Sequence, residues 1–208
     1  MPSLNLPYLL EIGLMAVVFL FSVVIHEVAH GYVALQNGDP TAKIMGRLTL
    51  NPMPHLDPVG SILVPALLLL SHSGILFGWA RPVPVNPLNY RHYRWGEITV
   101  SAAGPLSNLA LATAFAYLLR LNLGNLGIVT LASYGVSINL FLALFNLIPI
   151  PPLDGSHILA MLLPPNLLRL YRYLEPVGFV LILLLFYTGI MGALLMPLYR
   201  VLVAFLLG

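Results

Sequence analysis

Long apolar blocks separated by short polar breaks organise this chain, and the few polar positions inside the blocks say most about its chemistry. Pro7 to about Leu35 reads as one helix, long enough at about 1.5 Å per residue to cross a hydrocarbon core of about 30 Å. QNGDP ends it with strong breaker residues. Residues 41–50, TAKIMGRLTL, partly alternate and are rich in β-compatible side chains, which predicts a strand or hairpin near the interface. NPMPHLDP then forms a turn-rich loop. The apolar run from Val59 to Leu70 is short for a span, and Pro65, His72 and Gly74 interrupt or flank it. Lys43 and Arg47 precede this segment and Arg81, Arg91 and Arg94 follow it. Basic residues collect on the cytoplasmic side, so residues 59–77 are expected to dip in and return rather than cross. Glu97 to Arg120 and Gly127 to Pro149 predict two further spanning helices, the second ending in IPIPPLDG. A short helix over 156–163 follows, then Arg169 and Arg172 in a cytoplasmic loop. Residues 173–188 and 190–207 form a last hydrophobic pair or one kinked helix.

Composition turns these blocks into a membrane protein. The 208 residues are 59% hydrophobic and only 8% charged, with a mean hydropathy of +0.93. A soluble domain carries about 25% charged residues, so a solvated surface cannot be built here. The expected fold is an all-α polytopic membrane protein of about five to six hydrophobic helices, with a small β or re-entrant element after the first. One membrane-embedded domain fills residues 1–208; no cleavable leader, repeat or appended soluble module is expected. A net charge of +2 gives no reason to expect nucleic acid as a partner; the expected partner is the lipid bilayer. There are no cysteines, so disulfides, thiolate metal sites and cysteine nucleophiles are excluded together.

Against this background FSVVIHEVAHGYVALQNGDP, 21–40, poses the chemical question: ionisable groups inside an apolar helix are costly and by default functional. His26 and His30 are four apart and share one helical face, a spacing that suits two imidazoles on one tetrahedral zinc. Glu27 points to the side of such a metal, where it can take a proton from water held there. Two histidines and a water leave zinc one ligand short, and only histidine or carboxylate can supply it. Asp154 has the strongest context of the seven acidic residues, in a proline-broken stretch at the end of an apolar helix. Spacing alone leaves a second reading equally open, in which Asp154 caps the helix that follows.

The chain resembles the site-2 protease family of intramembrane zinc metalloproteases, in the small form without a PDZ or other sensor domain. The resemblance rests on H26-E-V-A-H30, on A103-G-P-L-S-N108 and on N146-L-I-P-I-P-P-L-D-G155, in that order across roughly residues 20–160. It implies a single catalytic Zn2+ held by His26, His30 and Asp154, with Glu27 as general base. It implies hydrolysis of peptide bonds within or near transmembrane segments of protein substrates; the protein is expected in the cell membrane of a prokaryote, and the basic flanks put HEVAH near the cytoplasmic end of the first helix, with the active site toward the cytoplasm. It also implies an element beside the site that pairs with extended substrate; residues 41–50 are the candidate. Asn146, and less directly Asn108, are candidates for binding substrate or the developing oxyanion; each has the alternative of bonding backbone freed by a proline or a helix end. Gly104 and Pro105 read as packing and helix-start residues. His55 reads as a solvated loop histidine, and Asp57 as a turn or cap residue. His72, His92 and His157 have no defensible partner spacing; His157 lies close to Asp154 in sequence, which leaves a supporting bond there open without indicating it. The rival reading is a non-proteolytic membrane zinc-binding protein or transporter, which has no evident use for Glu27.

Overall fold

A computed structural model describes residues 6–64, 67, 80–121 and 124–208. Its first helix, α1 (Leu6–Gln36), is followed by one helical turn, α2 (Thr41–Ile44). Then come α3 (Tyr93–Arg120), α4 (Leu126–Asn146), α5 (Asp154–Leu162), α6 (Pro165–Tyr171), α7 (Gly178–Tyr187) and α8 (Ile190–Leu207). Four of these, α1, α3, α4 and α8, are long and apolar enough to cross a membrane; the pair formed by Pro165–Leu174 and Gly178–Tyr187, bent by 65°, makes a fifth if counted as one span. Their outer faces expose large apolar side chains, among them Phe19, Leu106, Val180 and Phe205. That is the expected surface of helices solvated by lipid.

α3 sits at the centre, against α1, α4, α5 and α8. The cause is its side-chain size: Gly96, Ser101, Ala103, Gly104, Ala112 and Ala116 are all buried. Without a hydrophobic drive between helices in lipid, small residues let backbones approach and gain dispersion contact. Ala112 and Ala116 meet Val136 and Leu140 of α4. A second cluster, Leu144, Ile148, Leu153, Ile182, Met191 and Leu195, ties the end of α4 to α7 and α8.

Two expectations for the region after α1 change. Residues 41–50 contain no strand. The Asp39 carboxylate accepts the Thr41 N–H at 3.1 Å and starts a helical turn, which Gly46, at φ 66°, ends. The link onward is made by a side chain rather than a backbone ladder: the Arg47 guanidinium donates to the carbonyls of Arg81 (2.8 Å) and Pro82 (3.2 Å). His55 is not solvated either. It is 0% exposed, its Nε2 lies 2.9 Å from the Thr49 carbonyl, and its own carbonyl accepts the Arg81 N–H. Asp57 does cap, accepting from the N–H groups of Val59 and Gly60 at the start of the helical turn Pro58–Leu63. The re-entrant expectation for 59–77 falls largely on residues outside those described. The final pair is two helices, separated at Gly189 with φ 74°. α3 begins at Tyr93, four residues before the expected start, so Gly104 and Pro105 lie inside the helix rather than at its beginning.

Asp39 also fixes the segment that returns from 80 to 90. Its buried carboxylate accepts from the Asn86 N–H (2.6 Å) and the Asn89 amide (2.7 Å). Burial alone would push the carboxyl up, but the bonds from Asn89, Thr41 and Asn86 outweigh it and hold the pKa below the ordinary value. A depressed carboxyl stabilises the fold above its unfolded pKa and loses that contribution as pH falls through the folded one.

Candidate metal centre

His26 and His30 stand one turn apart on α1, their rings edge to face with centroids 4.6 Å apart. Asp154 reaches them because α4 stops at Asn146 and the chain doubles back through 147–153. Gly155 permits the reversal: a Cβ there would lie 2.1 Å from the Leu147 carbonyl oxygen. Asp154 does not cap α5, whose N-cap position is Leu153 with no side-chain bond. Its carboxylate faces the imidazoles instead. The His26 and His30 Nε2 atoms are 3.0 Å apart; Asp154 Oδ2 is 3.2 Å from His26 Nε2, and Oδ1 is 3.4 Å from His30 Nε2. The side chains are 8%, 12% and 18% exposed, so bulk water does not separate them.

Whether this triangle fits zinc is decided by the protons. His26 Nδ1 lies 2.6 Å from the Asn108 side-chain oxygen, and His30 Nδ1 lies 2.7 Å from the Val100 carbonyl. Both partners are acceptors, so each Nδ1 carries the hydrogen and each Nε2 presents a lone pair. Three acceptors then converge with no donor between them, and the buried Asp154 Oδ2 is left without a hydrogen-bond partner. A cation resolves that conflict. Donors about 2.0–2.1 Å from a tetrahedral zinc sit about 3.3 Å from one another, close to the three spacings observed. Gly104 completes the cradle: a Cβ on it would lie 2.4 Å from His30 Nε2 and 2.5 Å from His26 Nε2, in the space an ion would fill. The donor set fits zinc.

A cavity of about 290 Å³ opens onto this cluster, bordered by Glu27, Glu97, Asn146 and His157 and walled by Val83 and Val85. A larger groove of about 450 Å³, between α1, α4 and α8, is almost wholly apolar and contains none of these groups. One oxygen of Glu27 accepts the Val83 N–H at 2.8 Å, which anchors the carboxylate at the cavity edge. Val83 stands between Pro82 and Pro84, so its N–H is the sole backbone donor of that tripeptide. Asn146 borders the cavity while its amide donates to the Leu142 carbonyl at 3.0 Å. Asn108 is different. It is 0% exposed, behind the His26 ring and away from the cavity lining, so its bond is to the histidine and not to anything entering the cavity.

Three features of the cavity and its surroundings were not assigned from the sequence. His157 is half-exposed in the cavity with Nδ1 3.0 Å from Glu97 Oε1, and that bond raises its pKa above the ordinary value despite partial burial. Its spacing of three from Asp154 was the available signal, since both lie on one helical face. Glu97, Ser101, Gly104 and Asn108 likewise recur on one face of α3. Asn139, 0% exposed in α4, bonds Asn108 and Ser22, and an isolated amide in an apolar span was itself the cue. Interhelical bonds of this kind are worth about 0.6 kcal/mol each on average.

Comparison with known proteins agrees with this chemistry. The profile of Peptidase family M50 matches residues 121–185. The chain is 41% identical over 206 residues to a Bacillus subtilis protein named "Putative zinc metalloprotease YwhC", covering 94% of this chain and 87% of that one. It is 31% identical to "Putative zinc metalloprotease Rip2" of Mycolicibacterium smegmatis, over 82% of this chain and 65% of the relative. With "Putative zinc metalloprotease MJ0611" of Methanocaldococcus jannaschii it shares 43% identity over 87 residues, 41% of this chain and 46% of that one. No solved structure matches. The apolar spans, the three converging donors and the extent of the first relationship lead to one assignment: the chain belongs to peptidase family M50, the site-2 protease family of zinc metalloproteases.

Proposed function

We propose that this protein is an intramembrane endopeptidase that hydrolyses peptide bonds within or near transmembrane segments of membrane protein substrates. The observation that carries the reading is the triangle of His26, His30 and Asp154 donors inside an apolar helix bundle, with Glu27 on the same cavity. His26, His30 and Asp154 hold one zinc. When bound, the ion acts as a Lewis acid that makes water acidic enough to attack an amide. Glu27 takes the proton on its carboxylate and passes it to the leaving amine; the Val83 N–H keeps the carboxylate turned to the cavity during both transfers. Asn146 borders the same cavity, and the amide hydrogen not given to Leu142 is the one offered to a substrate carbonyl. A helical substrate hides its carbonyls in its own hydrogen bonds, so it must unwind locally before it fits. Purified protein in lipid vesicles with a transmembrane reporter tests the reading. Cleavage within the reporter's apolar segment, abolished by a zinc chelator and restored by zinc, is expected; stoichiometric zinc with no cleavage of any transmembrane reporter in a panel would instead favour a non-proteolytic metal protein.

The site opens toward the cytoplasm of a prokaryotic cell membrane in this reading. The supporting observation is the distribution of basic residues around 59–77. Accessibility tags at Asp57 and at Asn89 should both report the cytoplasmic side. Labelling from opposite sides would remove the re-entrant segment and invert the helices that follow.

A further inference from the structure

We propose that Asn139 is a positioning residue of the metal centre, which sets the tautomer of His26 from two residues away through Asn108. The inference rests on the reading of His26 as a metal ligand. The amide of Asn139 donates to the Gly135 carbonyl at 2.8 Å and to Ser22 Oγ at 2.9 Å. A backbone carbonyl can only accept, so Asn139 Nδ2 must face Gly135 and Oδ1 must face Asn108. Asn108 Nδ2 donates to that oxygen at 2.8 Å and to the Ser22 carbonyl at 3.3 Å, again a pure acceptor. Asn108 Oδ1 is thereby turned to His26, which must carry its hydrogen on Nδ1 and offer Nε2 to the metal.

Two backbone carbonyls, on α1 and α4, thus dictate the state of a ligand through two amides that are both 0% exposed. His30 reaches the same state in one step, from the Val100 carbonyl. The relay also explains why a polar residue sits at 139 in an otherwise apolar helix. Partners that orient metal-bound histidines change metal affinity by about 10–100-fold when removed.

The test uses the full chain in detergent micelles, stripped of metal, with zinc affinity measured against a competing chelator. Asn139→Leu should bind zinc about 10–100-fold more weakly while still reaching one zinc per chain at saturation. Asn139→Asp should stay near the parental affinity, because a buried, protonated carboxyl donates to Gly135 through its hydroxyl and accepts from Asn108 through its carbonyl. A packing role alone would not rank these two variants in that way. Nitrogen NMR of ¹⁵N-histidine-labelled metal-free protein, with His26→Ala to identify the signal, supplies a readout that needs no variant at 139. In the neutral ring, observed at a pH above the range of its imidazolium form, His26 should be wholly the Nδ1–H tautomer. Finding the Nε2–H tautomer in the parental protein, or parental zinc affinity in a folded Asn139→Leu, overturns the proposal. If His26→Ala itself binds zinc at parental affinity, the ligand reading fails instead.

Discussion

Replacing Glu27 with glutamine is expected to leave zinc content unchanged and to slow cleavage of a transmembrane reporter by about 100-fold or more. General bases contribute about 10²–10⁴ to rate, and Glu27 is the one carboxylate on this cavity that neither joins the donor triangle nor pairs with a histidine. Glutamine keeps the length and can still accept the Val83 N–H through its amide oxygen, so the wall at Val83 should hold its place. What disappears is the capacity to take a proton. Zinc analysis and reporter cleavage on the same preparation check this. A Glu27→Gln protein that carries zinc and cleaves at the parental rate would remove Glu27 from the mechanism.

A single methyl group at Gly104 should be as damaging by a different route. In Gly104→Ala the new Cβ falls 2.4–2.5 Å from both imidazole Nε2 atoms, about where the ion would sit. To relieve that contact α3 must withdraw from α1, which pulls the Val100 carbonyl from His30 and Asn108 from His26. The variant should purify with little zinc and give no measurable cleavage. Gly192 is the matched control: a Cβ there meets nothing within 4 Å, and in a helix alanine is favoured over glycine by about 1 kcal/mol. Gly192→Ala should therefore keep zinc, activity and stability. Parental zinc occupancy in a folded Gly104→Ala would show that α3 does not close the metal centre.

The long spans and the donor set were legible in the chain because each rests on a local pattern. Apolar blocks longer than a bilayer core mark α1, α3 and α4, and four-residue spacing places His26 and His30 on one face. The resemblance then picked out Asp154, which spacing alone left between ligand and cap. What could not be read were arrangements decided by contacts across the chain. Residues 41–50 look β-compatible by composition, but Asp39 and Gly46 bound a single helical turn there. His55 reads as solvated from its proline-rich loop, yet the returning segment at Arg81 covers it. From its motif Asn108 was a candidate for a substrate or oxyanion role with a structural alternative, and it stands behind the His26 ring because α3 presents small residues that draw it onto α1. Gly104 reads as packing; it is, and what it packs against is the pair of imidazoles of His26 and His30.

X-ray absorption at the zinc edge, on parental protein and on Asp154→Asn, tests the central claim most directly. Parental protein should carry one zinc per chain by elemental analysis, and its spectrum should show a four-coordinate shell of two imidazole nitrogens at about 2.0–2.1 Å and oxygens at about 2.0–2.2 Å. Asp154→Asn replaces a charged donor with a neutral amide and should lower both zinc occupancy and cleavage. A parental shell without two imidazoles, or an Asp154→Asn protein with unchanged occupancy, coordination and cleavage, would contradict the assignment of His26, His30 and Asp154 as the metal centre.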